Sequence, residues 1–255
     1  MAIWLRFQVA NGEAFGLLED ETVRVHDGDL FGALRDTGVT RALGELRLLQ
    51  PCRPGKLIGL WNNFHARAAH EGWDHPPHPL YFVKTDNCYA AHGDEIRRPV
   101  SYDGPVVFEG ELGIVIGRTC RHIDAAQADD FIFGYTCVND VTAREILKAD
   151  PSFPQWVRAK SFDTFGPFGP VIATGIDPDS LTVKTRLNGQ LLQDYPVADM
   201  FYRPREIVAR ISQDMTLHPG DVIACGTSLG AGPMESGDRV EVEIAGVGTL
   251  SNRFV

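Results

Sequence analysis

An α+β fold dominated by β-sheet is predicted for this chain, with a small β-rich unit ahead of a larger domain. Three observations carry the prediction. Short alternating apolar runs recur, among them Ile3-Leu5-Phe7, Val183-Thr185-Leu187 and Val240-Val242-Ile244. Glycine-bearing turn dipeptides, Asn11-Gly12, Asn188-Gly189 and Ala245-Gly246, fall beside them. Long strand–helix–strand units of the kind that build a parallel sheet are absent, and one clear amphipathic helix stands alone. At 255 residues the chain suffices for one large domain, or for a medium domain with an appendage.

Residues 1–52 read as the small N-terminal unit. Ile3, Leu5 and Phe7 alternate into Asn11-Gly12, and Ala14 to Leu18 return as a hairpin. Asp29 is placed to cap a short helix carrying Leu30, Phe31 and Leu34, with Gly38 to end it. Pro51-Cys-Arg-Pro-Gly55 then breaks the pattern as a linker, and residues 53–255 form the main domain. Lys56 to Leu60 is a strand, followed by a helical turn around His65 to Glu71 and a Pro-rich lid with Pro76, Pro77 and Pro79. His70, His75 and His78 do not make a zinc site, because the prolines impose extended geometry on that loop. Leu80 to Lys84 is a strand again, and Lys84 near its end suits a solvated edge or a site equally.

Asp124-Ala-Ala-Gln127 has the form of a capping box. A helix is expected to start just after Asp140, through Val141 to Ile146, with its positive end near that acid. Trp156 to Pro170 is too aromatic and turn-rich for a helix. Residues 171–200 read as strand, turn and strand. Arg203-Pro204 opens the one clear helix, with Ile207, Val208, Ile211 and Met215 on one face. Val222 to Gly226 is a strand, Thr227 to Gly232 a small-residue loop able to hold a carboxylate, and Val240 onward the closing hairpin.

Composition removes several function classes. Hydrophobic residues make up 44% and charged residues 23%, as in ordinary soluble domains. A net charge of -10 without clustered Lys or Arg argues against a nucleic-acid or anionic-membrane partner. The start lacks the basic-then-apolar pattern of a signal peptide, and no run is long enough to span a bilayer. Five separated cysteines with no CxxC pair fit a reduced, cytoplasmic protein whose thiols pack as small apolar groups.

The chemistry concentrates in Phe108-Glu-Gly-Glu-Leu-Gly-Ile-Val-Ile-Gly117 and Phe133-Gly-Tyr-Thr-Cys-Val-Asn-Asp140. On a strand, residues i and i+2 share a face, so Glu109 and Glu111 project side by side, and Asp140 ends a second strand-like run. Leu112, Ile114, Val115 and Ile116 follow at once, so the strand runs inward, where like charges need a cation between them. An all-carboxylate set suits Mg²⁺, Mn²⁺ or Ca²⁺ rather than zinc. The competing reading is a surface strand with solvated acids. Lys160 stands in the same way between a site cation and a solvated lysine.

Several motifs then occur in a familiar order: Glu109-x-Glu111, Asn139-Asp140-Val-Thr-Ala-Arg144, Lys160-Ser-Phe-Asp163, Asn188-Gly189, Thr216-Leu-His-Pro-Gly-Asp221, Gly226-Thr227 and Gly246-Val-Gly-Thr-Leu250. In this ordered set, roughly residues 51 to 255 resemble the fumarylacetoacetate hydrolase family. The resemblance implies a mixed β-sandwich or roll catalytic domain, a homodimer, and Mg²⁺ or Mn²⁺ held by Glu109, Glu111 and Asp140. It implies roles for Lys160 as the site lysine, Thr227 as the hydroxyl for the substrate carboxylate, Arg144 near the substrate and His65 as the histidine that activates water. The chain departs from the family pattern at Trp61-Asn62, where Asn-Tyr is usual, and at Ala68, where a Glu partner of the histidine is common. Leu147 replaces a frequent Gln and Ser228 a Pro. Glu71 is the nearest substitute for the missing acid, and His70 joins it as a candidate substrate contact.

The family's substrates are 2-oxo and 2,4-dioxo acids. The resemblance with His65 present points to hydrolysis of a C–C bond in an acylpyruvate-like substrate of aromatic catabolism. With Ala68 in place of the acid, decarboxylation or isomerisation of a 2-oxo diacid (or hydration) is the alternative. A metal-stabilised binding protein without chemistry is the third reading.

Overall fold

The computed structural model describes residues 1–10 and 12–255. The turn expected at Asn11-Gly12 falls partly on residue 11, outside them. Four strands open the chain: β1 (Ala2–Val9), β2 (Gly12–Glu19), β3 (Thr22–Gly28) and β4 (Leu34–Ala42). After the linker come β5 (Leu57–Trp61), helix α1 (His65–Glu71), β6 (Leu80–Lys84), β7 (Tyr89–Ala90) and β8 (Glu95–Ile96). The acid-bearing segment supplies β9 (Val106–Phe108), β10 (Gly110–Ile116), β11 (Ile132–Asn139) and β12 (Thr142–Ala143). Helix α2 (Trp156–Lys160), β13 (Gly166–Thr174), β14 (Thr182–Leu187) and β15 (Gln190–Pro196) follow. Helix α3 (Pro204–Asp214), β16 (Val222–Ala224), β17 (Gly232–Pro233), β18 (Arg239–Ile244) and β19 (Gly248–Phe254) complete the order.

The described residues build an eleven-stranded mixed sheet in the order β4-β3-β2-β1-β13-β11-β10-β16-β5-β6, with β7 pairing β13. A five-stranded sheet, β15-β14-β18-β19-β8, and a three-stranded one, β12-β9-β17, accompany it. The expected β-rich α+β class is therefore what the chain adopts. The N-terminal hairpins continue the large sheet, because β1 pairs β13 with Ile3 opposite Ala173.

The apolar run after Glu111 reads as continuous because β10 is covered on both faces. Leu112, Ile114 and Ile116 share one core with Val183, Val242, Ile207 and Ile211, while Val115 joins Val138, Ile172 and Val222 in another. Two packed layers thus hold the acids at one end of β10 rigidly. Among the described residues no helix is long and apolar enough to cross a membrane.

Three local expectations are corrected. The helix expected from Asp29 is a turn followed by β4: Asp29 Oδ1 accepts from the Phe31 N–H at 3.0 Å, and Leu30 is buried against Val115 and Val222. Pairing with β3 satisfies the backbone of residues 34–42 where a lone helix would have had little to pack on. The helix expected after Asp140 is displaced, since Thr142–Ala143 pair with β9 and only a 3₁₀ segment, Arg144–Lys148, follows. No α-helix starts beside Asp140 among the described residues. Conversely, residues 156–160 do form a short helix, which delivers Lys160 to the interior.

Candidate active site

Glu109 sits at the break between β9 and β10, where the chain passes from the three-stranded sheet into the large one. In the β10–β11 pair Gly110 stands opposite Asn139, which brings Glu109 against Asp140. The backbone locks this meeting: Asp140 N–H donates to Glu109 O at 2.8 Å, and Glu109 N–H donates to Asn139 Oδ1 at 3.0 Å. One carboxylate oxygen from each of Glu109, Glu111 and Asp140 lies within 4.8 Å of the others. Glu111 and Asp140 are buried and Glu109 is half-buried, so the cluster opens on the Glu109 side.

Gly110, between the two glutamates, is clamped from the second sheet. Its N–H donates to Gln193 Oε1 at 3.0 Å, and its carbonyl accepts from the Tyr195 hydroxyl and from Thr227 Oγ1 at 3.0 Å. A Cβ on this residue would fall far inside van der Waals contact of Thr185 Oγ1, so glycine is required by the close approach of β14. Gln193 Nε2 also donates to Thr227 Oγ1 at 2.8 Å, which ties the Thr227 loop to the acid strand.

Two buried lysines face the acids. Lys84 Nζ donates to Asp140 Oδ1 at 2.6 Å, and Lys160 Nζ donates to Glu109 Oε2 at 2.6 Å and Asp140 Oδ2 at 2.5 Å. Burial alone would push the Asp140 carboxyl up, yet Lys160 and Lys84 hold it below the ordinary carboxylate range. Burial works against the Lys160 charge too, but Asp140, Glu109 and Glu111 raise its pKa above that of a free lysine. Glu111 goes the other way: burial, then Asp140 and Glu109, push its carboxyl well above the usual range.

The donor set fits a hard divalent cation. Glu111 Oε2 accepts from the Gly226 N–H at 2.7 Å, but its Oε1 is buried with no hydrogen-bond partner among the described residues. Such an orphaned carboxylate oxygen beside two further acids is costly unless a cation takes it. The three acids can hold a metal of the Mg²⁺ or Mn²⁺ kind.

The structure thus brings Glu109, Glu111, Asp140 and Lys160 into one cluster and links Thr227 to it through Gly110. His65, His70, Glu71 and Arg144 make no hydrogen bond to the cluster among the described residues. His65 is exposed and its ring packs on Phe201 at 4.1 Å between centroids. Glu71 accepts from Arg67 Nε at 3.1 Å, His70 is exposed one residue before it, and Arg144 is exposed at the start of the 3₁₀ segment. The sequence left Lys84 open between a solvated edge and the site, where the structure places it, and gave no role to Gln193 and Tyr195. Lys84 carried a usable signal, a lysine closing the apolar run Leu80-Tyr-Phe-Val; Gln193 and Tyr195 carried none, since only the sheet-to-sheet approach brings them to Gly110.

Comparison with known proteins adds the family. Residues 56–255 match the fumarylacetoacetate (FAA) hydrolase C-terminal family, and residues 4–51 match the Rv2993c-like N-terminal family. Oxaloacetate tautomerase YisK of Bacillus subtilis is 36% identical over 227 residues, 84% of this chain and 74% of that protein. The crystal structure of a 2-hydroxyhepta-2,4-diene-1,7-dioate isomerase from Mycobacterium marinum superposes with a TM-score of 0.91 at 39% identity, covering 100% of this chain and 99% of the other. A maleylpyruvate hydrolase from Sphingobium sp. SYK-6, solved with manganese(II) and pyruvate, gives a TM-score of 0.81 at 27% identity over 100% and 99%. With a family match over most of its length and a carboxylate cluster at the end of its central strand, the chain belongs to the fumarylacetoacetate hydrolase family.

Proposed function

We propose that this protein is a divalent-metal-dependent enzyme that enolises a 2-oxo acid, with tautomerisation, isomerisation or decarboxylation of a 2-oxo diacid as the outcome. The observation that carries the reading is the composition of the cluster: three acids lie with ligand atoms within 4.8 Å of one another and two lysines bond to Glu109 and Asp140, while among the described residues no histidine–acid pair for activating water bonds to them. Glu109, Glu111 and Asp140 would hold Mg²⁺ or Mn²⁺. Such a cation would supply Lewis acidity that stabilises the negative charge of an enolate. Lys84 and Lys160 fix the rotamers of Asp140 and Glu109, so the ligand oxygens need no reorganisation. Lys160 keeps its proton against burial and offers a fixed N–H donor beside the reacting end of the substrate. Thr227, half-buried at the opening, can turn its hydroxyl from the Gly110 carbonyl to the substrate carboxylate, because Tyr195 continues to satisfy that carbonyl. Arg144 remains a candidate second contact.

Similarity to a tautomerase and an isomerase supports this reading. Hydrolysis of an acylpyruvate is the second reading, favoured by His65 and by similarity to the maleylpyruvate hydrolase. A panel separates them. Pure protein with Mg²⁺ is given oxaloacetate, an unsaturated 2-oxo diacid and an acylpyruvate, and enol absorbance, CO₂ and pyruvate are followed. Enol–keto conversion or CO₂ release without cleavage of the acylpyruvate upholds the proposal. Pyruvate from the acylpyruvate, lost in His65→Ala, replaces it with hydrolysis, and turnover of none rejects both.

A further inference from the structure

If the substrate is a 2-oxo acid, the reading on which this inference rests, its far end lies beyond the acid cluster and meets a built surface there. β5 and β16 run parallel with Gly59 beside Ala224, so the segments leaving them, Trp61 to His65 and Gly226 to Leu229, share one rim. Asn63 ties the two, its Nδ2 donating to Cys225 O at 2.9 Å. A Cβ on Gly59 would stand 2.5 Å from Phe82 Cζ, and the bare backbone lets that ring lie across β5. Aromatic rings then run in contact from one to the next. Phe82 stacks on Trp156 at 5.3 Å and 17°, Trp156 meets Trp61 at 5.8 Å, and Trp61 meets Trp73 at 4.6 Å. The row starts at the cluster, because Lys160 Nζ lies 5.0 Å from the Phe82 ring.

The row ends at Arg67. Its Cζ lies 5.9 Å from the Trp73 centroid, and its Nη1 donates to Ser228 O at 3.0 Å, one residue beyond Thr227. Its Nε donates to Glu71, four residues along α1, in a pair whose side chains are 18% and 31% exposed. Such helix-surface pairs are weak and exchangeable. Arg67 Nη2 has no hydrogen-bond partner among the described residues. A guanidinium held against an aromatic ring with a free edge is a receptor for a carboxylate. The half-buried indoles between it and the acids offer faces on which a planar, conjugated chain packs well and a solvated one does not.

We propose that Arg67 binds a second carboxylate of the substrate, and that Trp61, Trp73 and Trp156 pack the unsaturated chain joining it to the 2-oxo acid end. The activity test compares 2-oxohex-3-enedioate with 2-oxohex-3-enoate in Mg²⁺, using wild type, Arg67→Met, which keeps the apolar stem, and Arg67→Lys. The diacid-to-monoacid ratio of KM is expected to rise about tenfold to a hundredfold in Arg67→Met, as for a lost charge-assisted bond, and less in Arg67→Lys. An unchanged ratio overturns the proposal. A calorimetric titration with muconate and sorbate, a planar dicarboxylate and its monocarboxylate counterpart, reads the subsite without turnover. Wild type should prefer muconate and Arg67→Met should lose that preference; equal affinities in wild type overturn the subsite. If no 2-oxo acid reacts, the functional reading fails while this titration still decides the role of Arg67.

Discussion

Replacing Lys84 by Met tests whether the acid cluster is built for a cation. Lys84 is fully buried, and its ammonium lies 2.6 Å from the equally buried Asp140. Without metal, three carboxylates face two ammoniums, a net charge of -1 if all are ionised; Lys84→Met makes it -2. Breaking a buried pair by removing one partner costs about 3–5 kcal/mol, against about 0–1 kcal/mol for a surface pair. A divalent cation changes the balance, from +1 in wild type to neutral in the variant, so it should bind the variant more favourably and restore more of its stability. Urea unfolding followed by circular dichroism, in EDTA and in saturating Mg²⁺, gives both quantities. The expected result is a loss of about 3–5 kcal/mol in EDTA and a larger Mg²⁺-induced gain than in wild type. A loss below about 1 kcal/mol, or a smaller Mg²⁺ gain, refutes the argument that charge around Asp140 governs the stability and cation affinity of the cluster.

Gly110→Ala should cost about 1–3 kcal/mol or more by overpacking against Thr185, and should blunt the Mg²⁺-induced rise in melting temperature because Glu109 and Glu111 are displaced; an unchanged melting temperature with full Mg²⁺ response contradicts this. Glu111→Gln should stabilise the metal-free protein and remove its Mg²⁺ response. The raised Glu111 carboxyl gives stability that is full below 4.5 and is lost as pH rises through its folded value, so in EDTA the advantage of Glu111→Gln should widen as pH rises above 4.5; a constant difference counts against the buried-charge account. All five cysteines are buried, with Cys88 pushed up to about 11 and Cys52 and Cys137 to about 12 by burial, so native protein should react with Ellman's reagent far more slowly than unfolded protein. Rapid reaction of one thiol would reopen a nucleophilic role.

The fold was legible wherever periodicity met a turn. The alternation Val183-Thr185-Leu187 into Asn188-Gly189 became β14 and β15, and Pro204 opened α3 as expected. Elements failed where tertiary pairing outweighed local preference. Leu30 and Leu34 looked helical, but β3 offered residues 34–42 a hydrogen-bonding partner. Thr142–Ala143 likewise paired with β9 instead of starting a helix. At the site, the two-residue spacing of Glu109 and Glu111 and the strand-ending position of Asp140 were readable because strand geometry is local. The burial of Lys84 was not, since its partner Asp140 lies 56 residues further along the chain, nor was the clamp on Gly110 by Gln193 and Tyr195, which arises from the approach of a second sheet whose strands lie some 80 residues away. The placement of His65 against Phe201, with no hydrogen bond to an acid among the described residues, was equally invisible in the motif that singled it out.

The most direct test of a three-carboxylate metal site is a Mn²⁺ titration of EDTA-stripped protein, with free Mn²⁺ measured by electron paramagnetic resonance. Wild type should take up one Mn²⁺ per chain, and that site should disappear in Glu111→Gln and in Asp140→Asn, while Glu19→Gln, exposed at the end of β2, keeps it. Mn²⁺ uptake that survives both site substitutions, or wild type that takes up none, would contradict a cation held by Glu109, Glu111 and Asp140.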